Sequence, residues 1–449
     1  MALLLLFILV SLTAWSLYRQ WHAQSVLFVA AVVLMLASLA LGTPQSAGLR
    51  EGIPVVSAIV DSFASSLSGV GLMIMSIGGF VAYADHIGAS ESLVVRAMRT
   101  LERLKLPPNV LVLALIPLGQ LIFVCVTSAA GLAVLLMASA YPVMLRLGVR
   151  PVTAASVITG TTAFGIGPAS ALTAAAAKAA GIPVVDYVVV HQMLLALPLM
   201  VAIAVLYGLS NWIFDRGADA VPHVAHVTES EVKAVKPMIY AVVPVLPILM
   251  MVASYVATEV WGPQFTLTTT ASMFMSFGVA WLLHTLSSRD VRASIDSISV
   301  FWKGMGSIFT SVVTLVLVSE VFADGLIALG FMDAMLAAIQ SFGASEALVI
   351  VAFVVLIFLA SILMGSGNAA FFSFSPLIPD VAARFGLSSV RILLPMNLAA
   401  SMGRTVSPIS GVLLAVAALA KVSPMELAKR NAIPVLGSLI LMIILQLFA

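Results

Sequence analysis

Nine residues, Gly403-Arg404-Thr405-Val406-Ser407-Pro408-Ile409-Ser410-Gly411, interrupt an apolar run extending from about 392 to 420. Pro408 has no backbone N–H, and its ring clashes with the preceding helical turn. Gly403 and Gly411 make bending cheap. The pattern predicts a helix that breaks inside a membrane, with its freed backbone groups facing a ligand rather than lipid. A guanidinium at that depth marks a functional site. Its planar fork matches a carboxylate, which it can grip through two parallel hydrogen bonds.

Three other stretches have the same character. Thr127-Ser128-Ala129-Ala130-Gly131 joins two apolar limbs, 109–126 and 131–147. Gly165-Ile166-Gly167-Pro168 breaks the run 152–182. Gly365-Ser366-Gly367-Asn368-Ala369 joins limbs 345–363 and 370–383. Half-helix N-termini present unpaired N–H groups and positive dipole ends, which suit anions. Half-helix C-termini and unwound carbonyls suit a small cation. The substrate-binding candidates are Thr127, Ser128, Thr161, Thr162, Ser366, Gly367, Asn368, Arg404, Thr405 and Ser407. The candidates for a coupling ion are Ser128, Gly165, Ser366, Asn368 and Gly403. Ser170 and Ser410 lie at the same breaks. No acid is among these groups, so the expected substrate is an anion.

The elements that must hold these groups are membrane helices. The chain has 449 residues, 62% hydrophobic and only 9% charged, whereas soluble domains are nearer half apolar and a quarter charged. Cys125 is the single cysteine, which excludes an internal disulfide or cysteine metal site. No His-Glu-x-x-His motif points to a metalloprotease, and no basic stripe interleaved with aromatics points to nucleic acid. Residues 2–16 lack a basic start and read as a retained first span rather than a signal peptide. Spans of roughly 20 apolar residues fall near 2–18, 23–42, 68–86, 187–214, 238–257, 265–285, 304–325 and 430–448. The stretches 91–105 and 329–340 read as amphipathic helices in the interface.

The expected fold is an all-α membrane protein of two inverted repeats. It has about ten transmembrane helices, counting two broken ones, plus two hairpins read as re-entrant; two full crossings by their limbs would also return the chain to its starting side, and parity does not separate the two readings. The first repeat covers 1–216, with hairpin 109–147 and broken helix 152–182. A cytoplasmic linker, 217–236, carries His223, His226, Glu229, Glu231, Lys233 and Lys236. The second repeat covers 237–449, with hairpin 345–383 and broken helix 388–420. Ser128 and Ser366, Gly148 and Gly386, and Gly165 and Gly403 are each 238 positions apart. Five full crossings per repeat is an odd number, so the halves insert with opposite orientation. Of the 21 lysines and arginines, 16 fall on one face. That face is then cytoplasmic and both termini are periplasmic. Arg50, Lys178, Arg384 and Arg391 fall on the other face. Inverted repeats with discontinuous helices point to a secondary transporter. Lys178 and Lys421 read as snorkelling side chains. Glu320 and Asp324, four apart, read equally as a solvated helix end or a cation site.

Several blocks resemble the DcuC family of anaerobic C4-dicarboxylate transporters. They are 80–88 with Glu91, 128–148, 365–369, 403–411, and 417–421 with Ser423-Pro424. The resemblance implies transport of succinate- or fumarate-type diacids across a bacterial inner membrane, with Na+ or H+ as the coupling ion where one is used and no other cofactor. Through a wider ion-transporter superfamily it also implies a homodimeric elevator. There the hairpins and broken helices form a mobile transport domain against a scaffold, and hairpin-tip groups matching Thr127, Ser128, Ser366 and Asn368 contact substrate. One arginine cannot chelate both ends of a diacid, so the second carboxylate needs tip amides and hydroxyls. Family members carry an acid at the first break, where this chain has Gly167-Pro168-Ala169-Ser170-Ala171. Competing expectations are a carrier of citrate, a monocarboxylate or an acidic amino-acid-like anion, an intramembrane enzyme, and a channel.

Overall fold

The computed structural model describes residues 2–19, 21–41, 54–104, 106–216, 236–331 and 345–448. Most of the linker, the amphipathic stretch 332–340, Arg50 and Lys105 lie outside the described residues. Among the described residues every regular element is helical, and nine helices are long and apolar enough to cross a membrane. Shorter apolar helices fall at Ile8–Leu17, Val110–Cys125 and Pro151–Gly160.

In chain order, α1 is Ala2–Tyr18, α2 Ala23–Leu41, α3 Pro54–Ser66, α4 Leu72–His86 and α5 Ala89–Arg103. The first pair of limbs is α6, Pro108–Cys125, and α7, Ala129–Arg146. The first broken helix is α8, Pro151–Gly160, followed by α9, Ala171–Ala179. Next come α10, Met193–Asp215, α11, Leu246–Trp261, α12, Thr269–Ser288, α13, Val291–Ile308, and α14, Thr314–Ala328. The second pair of limbs is α15, Glu346–Met364, and α16, Gly367–Phe374, continued by α17, Ile378–Phe385. The second broken helix is α18, Ser389–Val406, followed by α19, Gly411–Ala420, and the chain closes with α20, Pro424–Phe448.

The packing falls into two groups. In one, α4 lies on α13 and α2 lies on α14. Small residues permit the first approach: a side chain at Gly304 would meet the carbonyl of Gly78 at 2.9 Å. Ser38 donates to the Ala328 carbonyl at 3.0 Å and pins the second. In the other group, α15 lies on α18, and α10 lies on α20. Leu194, Val201 and Val205 of α10 face outward and exposed, as the lipid-facing stripe of a spanning helix requires.

The two hairpin turns are built alike. Ser128 accepts from the Gly131 N–H at 3.1 Å, and Ser366 accepts from the Ala369 N–H at 3.2 Å. Each serine thus caps the helix that follows it. Gly148 after α7 (φ +84°) and Gly386 after α17 (φ +65°) both end their limbs in the left-handed region, which glycine adopts without a Cβ penalty. The breaks differ in placement. The first spans 161–170, centred on the predicted glycines. The second lies at 407–410, because α18 stays helical through Gly403 and Arg404 to Val406. Gly403 is therefore not a hinge. A Cβ there would meet the Phe358 carbonyl at 2.5 Å, so its role is the close approach of α15 to α18.

Candidate functional site

A cavity of about 400 Å3 brings together residues from both hairpins and both broken helices, a volume within the usual small-molecule range of about 300–1,000 Å3. Thr127 and Ser128 come from the first turn, Gly165 and Ser170 from the first break, Asn368 from the second turn, and Ser401 and Arg404 from α18. The far wall is supplied by α4 and α13. Three helix N-termini converge here: Ala129 begins α7, Ala171 begins α9, and Asn368 lies in the first turn of α16. Their unpaired N–H groups and dipoles make the space favourable to negative charge.

Arg404 adds a full positive charge. Its Nη2 donates to the Thr162 carbonyl at 2.9 Å, while its Nε is buried with no partner. Among the described residues no carboxylate pairs with it. A half-buried guanidinium with no countercharge and one buried N–H unmade is costly, and an anion in the cavity would supply the missing partner. The first break is held open by side chains from elsewhere. Ser401 accepts from the Gly165 N–H at 3.0 Å. Gln192 accepts from the Gly167 N–H at 2.9 Å and donates to Thr173 at 3.0 Å. Asn397 also donates to Thr173, at 3.3 Å. Gly167 itself sits at φ +95°, a left-handed conformation that suits the tight turn before Pro168.

The family model of DcuC, C4-dicarboxylate anaerobic carrier, matches residues 1–449. This chain belongs to the DcuC family. The Escherichia coli K12 anaerobic C4-dicarboxylate transporter DcuC is 31% identical over 433 residues, covering 95% of this chain and 92% of that one. A Vibrio cholerae relative is 32% identical over 377 residues, 84% of this chain and 81% of its own. Among solved structures, Neisseria gonorrhoeae MtrF matches with TM-score 0.66 at 13% identity, covering 94% of this chain and 95% of that one. Alcanivorax borkumensis YdaH matches with TM-score 0.65 at 16% identity, over 96% and 99%. At these identities the two structures share the fold alone. DcuC proteins are carriers, so the chain is a multi-pass membrane transporter and not an enzyme.

Not every predicted site residue reaches the cavity. Thr161 and Thr162 are buried, and their hydroxyls donate back to Ile158 and Thr159 carbonyls at 2.6 and 3.0 Å. Such back-bonding is common for hydroxyls in membrane helices. Thr162 serves the site through its carbonyl instead. Thr405 bonds back to Ser401 at 3.0 Å, and Ser407 donates to the Ile362 carbonyl at 2.7 Å. Ser366 caps α16. A Cβ at Gly367 would meet the Ala400 carbonyl at 2.5 Å, so this glycine lets the hairpin approach α18. Thr127, Ser128, Gly165, Asn368 and Arg404 do line the cavity.

Sequence reasoning missed Asp85 and Ser307, which reach the same cavity from α4 and α13. The absence of an acid from the four interrupted stretches therefore does not extend to the cavity. Asp85 ends an ordinary apolar helix, and only the packing of α4 across from Arg404 makes it part of the site. A second cavity of about 700 Å3 lies one turn further along the same elements. Ile74, Leu172, Val312 and Asn368 line the first; Val70, Ala175, Val316 and Phe372 line the second. Lys178, Glu320 and Asp324 fall in the second, away from Arg404.

Proposed function

We propose that this protein carries C4-dicarboxylates of the succinate and fumarate type across a bacterial inner membrane. The observation that carries the reading is the convergence of three helix N-termini and Arg404 on one cavity. One substrate carboxylate pairs with the unpartnered edge of the Arg404 guanidinium. The other takes the N–H groups and hydroxyls at Thr127, Ser128 and Asn368. The names of the relatives favour a diacid over a monocarboxylate.

Transport is by an elevator form of alternating access, as exchanger or Na+- or H+-coupled carrier, in a homodimer. The hairpins and broken helices, α6–α9 and α15–α19, move as the transport domain, and the helices around α4, α13 and α14 stand as the scaffold. Two cavities one turn apart along the same interface support this: the turn between them closes one access while the other is open. The matched serine caps at Ser128 and Ser366, and the matched glycines at 148 and 386, support two inverted repeats. Ser128, Gly165 and Asn368 remain the groups best placed for a coupling ion, and both termini are assigned to the periplasm.

Reconstituted protein taking up labelled fumarate or succinate tests the reading, with citrate and monocarboxylates as competitors. Saturable uptake blocked by C4-diacids and not by the others is expected. Uptake blocked better by citrate or a monocarboxylate would move the substrate to that class. Currents far above carrier rates would make it a channel.

A further inference from the structure

The lining of the Arg404 cavity holds two ionisable side chains among the described residues, Arg404 and Asp85. They stand on opposite walls. Arg404 belongs to the broken helix α18. Asp85 belongs to the last turn of α4, where it is exposed at the rim. Its position is electrostatically unfavourable twice over. A helix C-terminus carries roughly half a negative charge, so a carboxylate in the last turn is on the disfavoured end. It also lies on the path of an anion bound for the cavity.

Asp85 takes no part in the ion pairs Arg146–Glu102, Arg391–Glu346 and Arg430–Asp215. The Ser90 hydroxyl is its polar neighbour. Arg96, whose Nη2 donates to the Lys236 carbonyl at 2.9 Å, and Lys236, whose side chain passes Gly88, are cations beside the turn after α4. The Lys236 ammonium, however, sits over the Tyr240 ring, 5.6 Å from the centroid. His86 follows on the same helix, and His284 on α12 lies within electrostatic range of Lys236 and His86. None of these lines the cavity.

We infer that Asp85 is a sided affinity determinant: it weakens dicarboxylate binding in the state open toward the end of α4 and speeds release on that face. This rests on the carrier reading above. Because α4 belongs to the wall that stays still, the carboxylate acts on the substrate only while the site faces it. When the Arg404 wall moves, the distance grows and the repulsion disappears. An effect confined to one face separates this role from that of a residue carried with the substrate.

The test uses the full-length protein in right-side-out and inside-out membrane vesicles, with labelled fumarate and the variants Asp85→Asn and Asp85→Glu. Because the carboxylate stands at the wrong end of its helix, Asp85→Asn is expected to fold at least as well as the parent. On the face toward Asp85, the half-saturation concentration of Asp85→Asn should fall about threefold to tenfold, the effect of one charge acting at cavity range. The gain should shrink as ionic strength rises, because the rim is open to solvent. On the opposite face nothing should change, and Asp85→Glu should behave as the parent. An equal shift on both faces, no shift at all, or loss of transport in Asp85→Asn would each overturn the inference. So would Asp85→Glu matching Asp85→Asn. Failure of the parent protein to take up any dicarboxylate is a separate result, which overturns the carrier reading and this inference with it.

Discussion

The Asn431 side-chain amide donates a 2.9 Å hydrogen bond to the carbonyl of Thr405, the residue after Arg404. The same amide donates to Thr159 at 2.8 Å, and Ser156 donates to its oxygen at 2.9 Å. Asn431 thus ties α8 to the end of α18. Arg404 makes a second bridge between the same two segments, through Thr162. The two bridges join the chain at 159–162 to the chain at 404–405, where each helix gives way to its break. Asn431 is fully buried on α20, out of reach of the cavity, so its bridge can persist when Arg404 turns to a ligand.

Replacing Asn431 with Ala should therefore act on both stability and binding. Leaving buried polar partners unmade costs about 1–3 kcal/mol for each group left unsatisfied. A lower melting temperature in detergent is expected, together with a raised half-saturation concentration for fumarate. Unchanged values of both would remove Asn431 from the support of the site.

Arg404 itself separates charge from geometry. Arg404→Ala should abolish saturable uptake while the protein still melts cooperatively. Arg404→Lys keeps the charge but loses the fork, since an ammonium is a point donor. An intermediate affinity loss of about tenfold to a hundredfold is expected, equivalent to one strong hydrogen bond to a charged group. Full activity in Arg404→Ala, measured in the same liposomes, would take the guanidinium out of the mechanism.

How much of this was legible in the sequence depended on how local the cause was. The interruptions at Pro168 and Pro408 announced themselves because proline and glycine act on their own turn of chain. Ser128 and Ser366 were legible as turn groups for the same reason. The roles of Thr161, Thr162 and Thr405 were not, because a hydroxyl bonding its own preceding turn looks identical in sequence to one facing a ligand. Asp85, Gln192, Asn397 and Asn431 went unnoticed because their significance comes from partners on other helices. By sequence Arg430 reads as one of the 16 cations of the cytoplasmic face. In the structure it is buried and hydrogen-bonded to Asp215, Thr153 and Asn211. No spacing rule links position 430 to 215.

That buried pair has its own consequence. Arg430 Nη1 lies 2.8 Å from Asp215 Oδ1, with Thr153 donating to the other carboxylate oxygen at 2.6 Å. Removing one partner of a buried pair strands the other charge, which costs about 3–5 kcal/mol. Arg430→Met or Asp215→Leu alone should lower the melting temperature sharply, while the double variant should recover much of the loss. Additive losses in the double variant would show that the two charges are not coupled.

Two glycines give a paired test of packing. A Cβ at Gly403 would press on the Phe358 carbonyl, whereas one at Gly278 would meet nothing within 4 Å. Both lie inside helices. Gly278→Ala should stabilise the protein by about 0.5–1 kcal/mol, the helix preference of alanine over glycine. Gly403→Ala should destabilise it by about 1–3 kcal/mol through overpacking, and should displace Arg404 one position along. Melting curves measure the first effect, and fumarate affinity the second. Equal stabilisation by both substitutions would mean that α15 and α18 do not approach as closely as Ser361 and Ala400 indicate, with their 2.6 Å hydrogen bond.

The sliding of one wall past the other can be stopped by a covalent tie. Lys178 on α9 and Glu320 on α14 line the second cavity from opposite walls. Cys125 is the only native cysteine, so Cys125→Ser gives a clean background for Lys178→Cys with Glu320→Cys. A cleavable bifunctional thiol reagent bridging the two should halt fumarate uptake, and reduction should restore it. Each single-cysteine variant should be insensitive to the same treatment. If the bridged protein transports at the unbridged rate, α9 does not move relative to α14, and the substrate must cross by local opening of the turns between the two cavities.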